Sequence, residues 1–340
     1  MATIGSSVAT LVDWSVLQDP KGNVPDVINL LSENDEFLQN FKFITANGPD
    51  YHQTTQVTGE PTVAFRAYNE GAAQSKASFA NIQDQMGMLE TFSEIDKGLV
   101  DRNGNGARFR MMMEKPFLES LRKKALSTLI YGDHTNDPES FDGLSVRFAN
   151  LTTGLYDNSM ISAGGSGSDN TSVWLLNVGE RSVHGIIPNE PNVGLTMEDE
   201  GVQTIQTDTT GVGGARMKVY RTHWMWKLGL AVPDWRHVVR LCNIDVSALV
   251  ANSTPYDLII AMSRMIDRIP SFTGTSPMFL VNSTVASWMR VQALAKSSSA
   301  IAAQDALDQF GNPMRGTLKF LGIPVYRVDQ ILNTEATVAA

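Results

Sequence analysis

Apolar residues recur at every fourth position from Phe109 through Met113, Phe117, Leu121 and Ala125 to Leu129, with Leu118 beside them. That spacing predicts a long amphipathic helix over 107–131, because residues four apart share one helical face. Pro116 interrupts it and predicts a kink or a restart, since proline has no N–H and its ring meets the preceding turn. Tyr131-Gly132-Asp133 ends the pattern. A second helix is expected over 253–269, with Leu258, Ile259, Met262, Ile266 and Ile269 as its apolar face. Thr254 is placed to cap it, Pro255 to open it and Asp257 to complete a capping box. Val285, Trp288 and Met289 mark a third helix, and residues 24–41 place Val27, Leu30, Leu31, Phe37, Leu38 and Phe41 near the same period.

The pattern changes over 50–100. TTQVTGEPTVAFRAYNEG (54–71) is rich in Thr, Ala and Gln, and Val63 and Phe65 alternate with Arg66 and Tyr68 as in a strand. Asn69-Glu70-Gly71 supplies the turn. Arms of about 15 residues at about 3.3 Å each give a hairpin about 50 Å long. So long a hairpin with so few large apolar residues is marginal alone in water. Val63, Phe65 and Phe79 are those few, and they are expected to bury against another chain. Arg66 and Lys76 are expected to meet acidic groups there.

From 173 onward the chain reads as strands punctuated by Gly and Pro: VWLLNVG, SVHGIIP, VQTIQT, ARMKVYRTHWMWKLGLAV and WRHVVRLCNI. Pro233-Asp234 is expected to break the last two apart. MFLVN (278–282) is a further strand, and GTLKFLGIPVYRV (316–328) forms two around Gly322. Residues 224–241 hold three of the chain's six tryptophans. In strand geometry Tyr220, Thr222, Trp224 and Trp226 share one face, and His223, Met225 and Lys227 the other. Mixed charges and high aliphatic content favour a packed strand over a base-stacking platform. Trp226, if fully buried, is expected to contribute about 3–5 kcal/mol.

A length of 340 residues allows about two domains. The net charge of −9 argues against a phosphate-gripping surface. The densest basic cluster, Arg122-Lys123-Lys124, reads as a solvated helix face. Cys242 is the single cysteine, which excludes an internal disulfide, and its strand-like surroundings predict a buried, inert thiol. DRNGNG (101–106) starts like a calcium loop, but Met112 stands where the bidentate Glu is needed. GGSGSDN (164–170) lacks the Lys-Ser/Thr ending of a phosphate loop. The five histidines form no HxxxH or similar pair, and no GxSxG elbow occurs. No metal or cofactor is therefore expected, while a Ser-His-Asp triad, being spatial, stays open on these grounds alone. With no basic leader and no apolar run of about 20 residues, a soluble cytoplasmic protein without a membrane segment is expected.

Three stretches then carry a resemblance: YGDHTNDPESFDGLSVRF (131–148), DNTSVWLLNVGERSVHGIIPNEPNVGLTMEDEG (169–201) and YRTHWMWKLGLAVPDWRHVVRLCNID (220–245). Together with TTQVTGEPTVAFRAYNEG and LGIPV, in this order, they resemble the major capsid proteins of short-tailed and related tailed double-stranded DNA phages. The resemblance implies the Hong Kong 97-type capsid fold in the α+β class. It implies an N-terminal arm (1–48), an extended hairpin or E-loop (49–100), a peripheral domain with a spine helix and sheet (101–250), an axial domain (251–328) and a C-terminal tail (329–340). Some relatives begin with a scaffolding segment, whereas this sequence opens on the arm. The Lys–Asn cross-link of some relatives is not carried over, since nothing marks Lys76 as activated.

The implied function is a structural one. Many copies form an icosahedral shell of hexamers and pentamers around double-stranded DNA, with a scaffolding protein, a portal protein and a cement or decoration protein as partners, assembled in the host cytoplasm. The alternatives are a β-rich carbohydrate-binding or hydrolytic protein and a minor structural protein of the same particle.

Overall fold

The computed structural model describes residues 36–339 apart from 72, 103–105, 152–158, 190–193, 207–215, 252–255, 296–300, 304–305, 308–312 and 315–317. Most of the helix expected over 24–41, part of the calcium-like loop, and Thr254 and Pro255 lie outside the described residues. The chain divides into two compact units, each built from separated segments. The first draws its described residues from Met88–Leu126 and Glu190–Lys227, the second from Asp35–Gly87, Ser127–Asn189 and Leu228–Ala340.

In chain order the helices are α1 Glu36–Asn40, α2 Lys97–Asp101, α3 Gly106–Tyr131, α4 Leu144–Arg147, α5 Val246–Ala251, α6 Leu258–Asp267 and α7 Ser283–Ala295. The strands are β1 Phe43–Thr45, β2 Tyr51–Gly59, β3 Ser78–Asp96, β4 Met160–Ser162, β5 Asn170–Val178, β6 His184–Ile187, β7 Leu195–Gln206, β8 Arg216–Ala231, β9 Val238–Asp245, β10 Ser276–Val281, β11 Ile301–Ala303, β12 Ala306–Leu307, β13 Pro313–Met314, β14 Leu318–Phe320 and β15 Ile323–Arg327.

The second unit holds the larger core. Its seven-stranded sheet has the order β11-β14-β15-β10-β5-β9-β4. All nine residues of β5 are buried, which explains why VWLLNV reads as a continuous apolar run: a strand covered on both faces has no polar side to alternate with. On one face Val173, Leu175, Val239, Leu241, Phe279 and Phe320 pack with Met262, Met265, Val285 and Met289 of α6 and α7. On the other lies Trp174, fully buried, its ring edge-on to Phe148 at 6.2 Å. β14 and β15 are joined at Leu321 and Gly322, both at positive φ (48° and 85°), the backbone that a two-residue hairpin turn demands.

The first unit has a small core of Ile95, Leu99, Val100 and Phe109, with Met112, Met113 and Tyr220 against it. Here β7 and β8 form an antiparallel ribbon, with Leu195 opposite Trp226, Gln206 opposite Arg216 and a bulge between Asp199 and Gly201.

Several expectations need correction. The restart expected at Pro116 does not occur, since α3 is a single helix from Gly106 to Tyr131; the proline is exposed, so water can reach the carbonyl that it leaves unpaired. α6 starts later than expected, at Leu258, and its cap is Asp257, whose side chain accepts a bond from the Ile260 amide at 3.2 Å. Trp224 and Thr222 are buried, but Tyr220 and Trp226 on the same face are only partly so. As expected, β8 and β9 part at Pro233-Asp234, with a 3-10 turn over Trp235–His237.

After α3 the chain reverses in close quarters. The Gly132 amide donates to the Thr128 carbonyl at 2.8 Å, and the Gly143 amide to the Gly132 carbonyl at 2.9 Å. A Cβ on Gly132 would lie 2.2 Å from the Phe141 carbonyl oxygen, a backbone atom that cannot swing aside. Gly132→Ala is expected to cost about 3 kcal/mol in urea unfolding of the unassembled subunit. Trp226→Ala, with its ring half-buried, should cost about 2 kcal/mol in the same assay, less than full burial would give.

Candidate intersubunit surface

The hairpin singled out by the sequence is formed by β2 and the first half of β3, paired from Tyr51–Gln85 to Gly59–Ser78. Its root is fixed. Asn47 bridges the start of β2, donating from Nδ2 to the Gln53 carbonyl at 2.7 Å and accepting the Gln53 amide at 2.8 Å. Asp84 is buried and pairs with Arg147 Nη1 at 2.7 Å. Arg147 also donates from Nε and Nη2 to the Asp142 carbonyl, each at 3.3 Å, and from Nη2 to the Leu230 carbonyl at 3.2 Å. One guanidinium thus ties together the hairpin, the loop before α4 and the end of β8. Gln56 adds a tie from β2 to the Val232 and Pro233 carbonyls.

His52, opposite Asp84 in the ladder, meets His184 edge-on at 5.5 Å. His184 is buried, with Nδ1 at 3.2 Å from the Gly179 carbonyl. Burial is the largest influence on its imidazole and, with His52 and Lys42, outweighs the Gly179 bond and Asp84, so its pKa lies below the usual range.

Beyond the root the described residues of the hairpin tip, 60–76, are exposed. The ladder stops at Gly59 and Ser78. No described residue from 60 to 77 is in a strand, so the strand expected through Val63–Tyr68 does not form within one chain. Its described side chains are exposed, and unsupported two-stranded ribbons are marginal. Asn69, at φ 67°, turns the chain, and Ser75 Oγ donates across the tip to the Thr62 carbonyl at 2.9 Å. Val63 is 95% exposed, Phe65 109%, Tyr68 97% and Phe79 65%. Arg66 and Lys76 are exposed as well.

The predicted contact residues therefore fall into two groups. Val63, Phe65, Arg66 and Lys76 share the tip, whereas Phe79 lies on the ladder, where it faces Val57. Val57 is also exposed, and sequence reading missed it. The pairing register, which brings two apolar side chains onto one open face, is what identifies it. Asp84 was missed too, because a lone Asp among Gln and Asn residues has no distinguishing local signal.

A second exposed apolar surface lies in the first unit, between α3 and the β7–β8 ribbon. Met111, Leu118, Leu195, Met197, Trp224 and Trp226 line adjoining hollows there. The tryptophan strand thus packs through Trp224 and presents Trp226 at the rim.

Elsewhere the candidate chemistry is quiet. Cys242 is buried in β9, its Sγ 3.4 Å from the Ile161 carbonyl, and burial pushes the thiol up to about 11. Arg122 and Lys123 lie near Glu119 at 3.9 and 3.7 Å, and Lys124 is exposed. Among the described residues no group of three His, Cys, Asp or Glu side chains could hold a metal ion, and no helix is long and apolar enough to cross a membrane.

Comparison with known proteins gives these surfaces a context. The sequence matches the family described as major capsid protein GP7 over residues 19–339. A chain in the cryo-EM structure of bacteriophage Epsilon15 is 30% identical, with a TM-score of 0.76 and 100% of both chains covered. The capsid of bacteriophage JBD30 matches at 10% identity with a TM-score of 0.48, over 89% of this chain and 93% of that one. No curated protein sequence matches.

Two predictions concern the hairpin root. Asp84→Ala leaves Arg147 without its anion and should cost about 3 kcal/mol in urea unfolding of the subunit, with Asp84→Asn losing less. Because the folded-state pKa of His184 is depressed, the unfolded chain binds the additional proton first as pH falls. The corresponding stability is present above the ordinary value of about 6.5 and is lost below it. The unfolding midpoint should fall between pH 7 and pH 5, and His184→Gln should make that slope shallower.

Proposed function

The chain belongs to the major capsid protein GP7 family, and from that premise we propose how its copies hold one another. It is a structural protein of a phage capsid, with the Hong Kong 97-type fold of the α+β class, and its place is the virion shell. Family membership displaces the reading as a β-rich carbohydrate-binding or hydrolytic protein.

In the proposed assembly, copies form hexamers and pentamers of an icosahedral shell around double-stranded DNA. Residues 1–48 act as the arm, 49–100 as the E-loop, 101–250 as the peripheral domain, 251–328 as the axial domain and 329–340 as the tail. A scaffolding protein and a portal protein take part in the host cytoplasm, and a cement protein is a further partner. The acidic chain encloses DNA without sequence-specific grip, since like charge disfavours lasting contact with phosphates.

The observation that carries the hairpin's role is the contrast along its length. A root clamped by Asp84 and Arg147 supports a tip whose large apolar side chains are almost wholly exposed. Water disfavours that arrangement, at roughly 25 cal/mol per Å² of apolar surface. A second subunit relieves it by covering Val63, Phe65 and the Val57–Phe79 pair, while Arg66 and Lys76 meet its carboxylates. Each such ion pair contributes only about 0–1 kcal/mol. Apolar burial supplies most of the contact, and the charges set its register.

Replacing 60–77 with Asn-Gly tests this reading. The shortened subunit should unfold at the wild-type urea midpoint, because none of the tip's described residues is buried. Co-expressed with its scaffold, it should sediment as small species and show no shells by electron microscopy. Phe65→Asp should give the same result in a milder form. Heat-stable shells from the shortened chain would make the tip dispensable and overturn the reading.

A further inference from the structure

Residues 328–339 form a strap on the β5–β9 side of the second unit: the chain turns at Asp329–Gln330, bends through 331–334 and runs extended from Glu335 to Ala339, stitched down along its length. The Leu332 amide donates to Tyr131 Oη at 2.9 Å. The Glu335 amide donates to the Asn170 carbonyl at 2.8 Å. Thr337 Oγ1 donates to the Gly167 carbonyl at 2.9 Å and accepts from Asn170 Nδ2 at 3.2 Å. Asn243 reads the main chain of Val338 twice, accepting its amide at 2.8 Å and donating to its carbonyl at 3.0 Å. The Leu151 amide donates to the Ala339 carbonyl at 3.2 Å. Ile331, Glu335 and Val338 are buried, and the residues between them are exposed.

The centre of this contact is charged. Arg240 is buried beneath the strap, its guanidinium 4.8 Å from the centroid of the Trp174 ring. It donates from Nη1 to the Phe148 carbonyl at 2.7 Å and from Nε to Ser172 Oγ at 3.1 Å. Glu335 Oε2 lies 3.0 Å from Nη2 and also accepts from Ser172 Oγ, while Oε1 accepts from Tyr131 Oη. Among the described residues Glu335 is the sole carboxylate paired with Arg240. The sheet therefore encloses a cation whose neutralising anion comes from the strap. A buried charge stripped of its partner is strongly destabilising, so the face with the strap lifted is an unstable one.

We propose that this face, lined by Tyr131, Asn170, Ser172, Arg240 and Asn243, is a binding groove for an extended peptide carrying one carboxylate, and that its occupancy by residues 329–339 gates assembly. The groove reads the strap as such sites read peptides: main-chain bonds hold the extended backbone, and one buried carboxylate sets the register. A subunit with the strap lifted leaves Arg240 without its carboxylate and does not enter the shell. Docking the strap completes the subunit. The gating part rests on the chain's role as a shell protein, but the groove does not.

The experiment separates the two. Hydrogen exchange over 329–339 is followed in the full-length subunit and in Glu335→Ala, alongside shell formation with the scaffold. In the variant, exchange across the strap should accelerate by about tenfold or more while β5 and β9 stay protected, and shells should be lost. The double variant Arg240→Met with Glu335→Leu removes both charges and should restore strap protection and shells. In a chain ending at Val328, a labelled synthetic peptide of residues 329–340 should bind saturably and return shell formation, and the same peptide with Glu335→Ala should bind about tenfold more weakly. If the shortened chain does not fold, the full-length variants decide. Unchanged strap exchange in Glu335→Ala would overturn the groove. Faster exchange with normal shell yield would overturn the gate alone.

Discussion

The ion pair between Asp84 and Arg147 fixes the root of the hairpin whose tip carries the most exposed large apolar side chains. A two-stranded ribbon in water has little reason to hold one orientation, because its own cross-strand contacts contribute little. Here the guanidinium is shared between the ribbon, the Asp142 carbonyl and the Leu230 carbonyl, so tilting the hairpin would break several charge-assisted bonds at once. The buried location strengthens each of them and makes any unpaired state costly. The tip is thereby held out in one direction with its apolar residues uncovered, the arrangement that a surface-to-surface assembly can use.

The same short segment fastens a second extended piece of chain. Residues 131–148 begin with Tyr131, whose hydroxyl meets Glu335, and end with Arg147 and Phe148, whose carbonyl accepts from Arg240. Between them Gly132 and Gly143 allow the main chain to double back without room for a Cβ. Two arginines, Arg147 and Arg240, each bind a segment with too little apolar surface to fold down unaided. Arginine suits both places because its planar fork serves several acceptors together and stays charged when buried. The segment 131–148 is one of the stretches that resemble the capsid family. Its Gly, Asp and Arg positions serve particular close contacts, and substitution at such positions is penalised more heavily than on an open helix face.

The two units differ in how much of their apolar surface is buried within the chain. The second has a sheet covered on both faces and a deep apolar cluster on α6 and α7. The first has a core of a few residues and a trough edged by Met111, Leu195, Met197 and Trp226. Exposed methionines and a half-buried tryptophan are adaptable contact material. Apolar area that one chain leaves in water becomes available for burial between chains, so incompleteness in the isolated subunit is consistent with a protein whose finished state is an assembly.

The long helix, the strand β5, the break at Pro233-Asp234 and the turn at Gly322 were all legible in the sequence. Each is decided within a few residues by periodicity, by proline's missing donor or by backbone conformation. The hairpin was legible as well, because its poverty in large apolar residues is a property of composition. The tertiary structure decided what depends on partners distant in sequence. Asp84 and Arg147 are 63 positions apart, and Arg240 and Glu335 are 95; nothing local distinguishes these side chains from solvated ones. Pairing register placed Val57 beside Phe79, and packing buried Trp224 while leaving Trp226 at the rim. A sequence states which residues are apolar or charged, but only the fold settles which of them meet, since burial and pairing are properties of the space between segments.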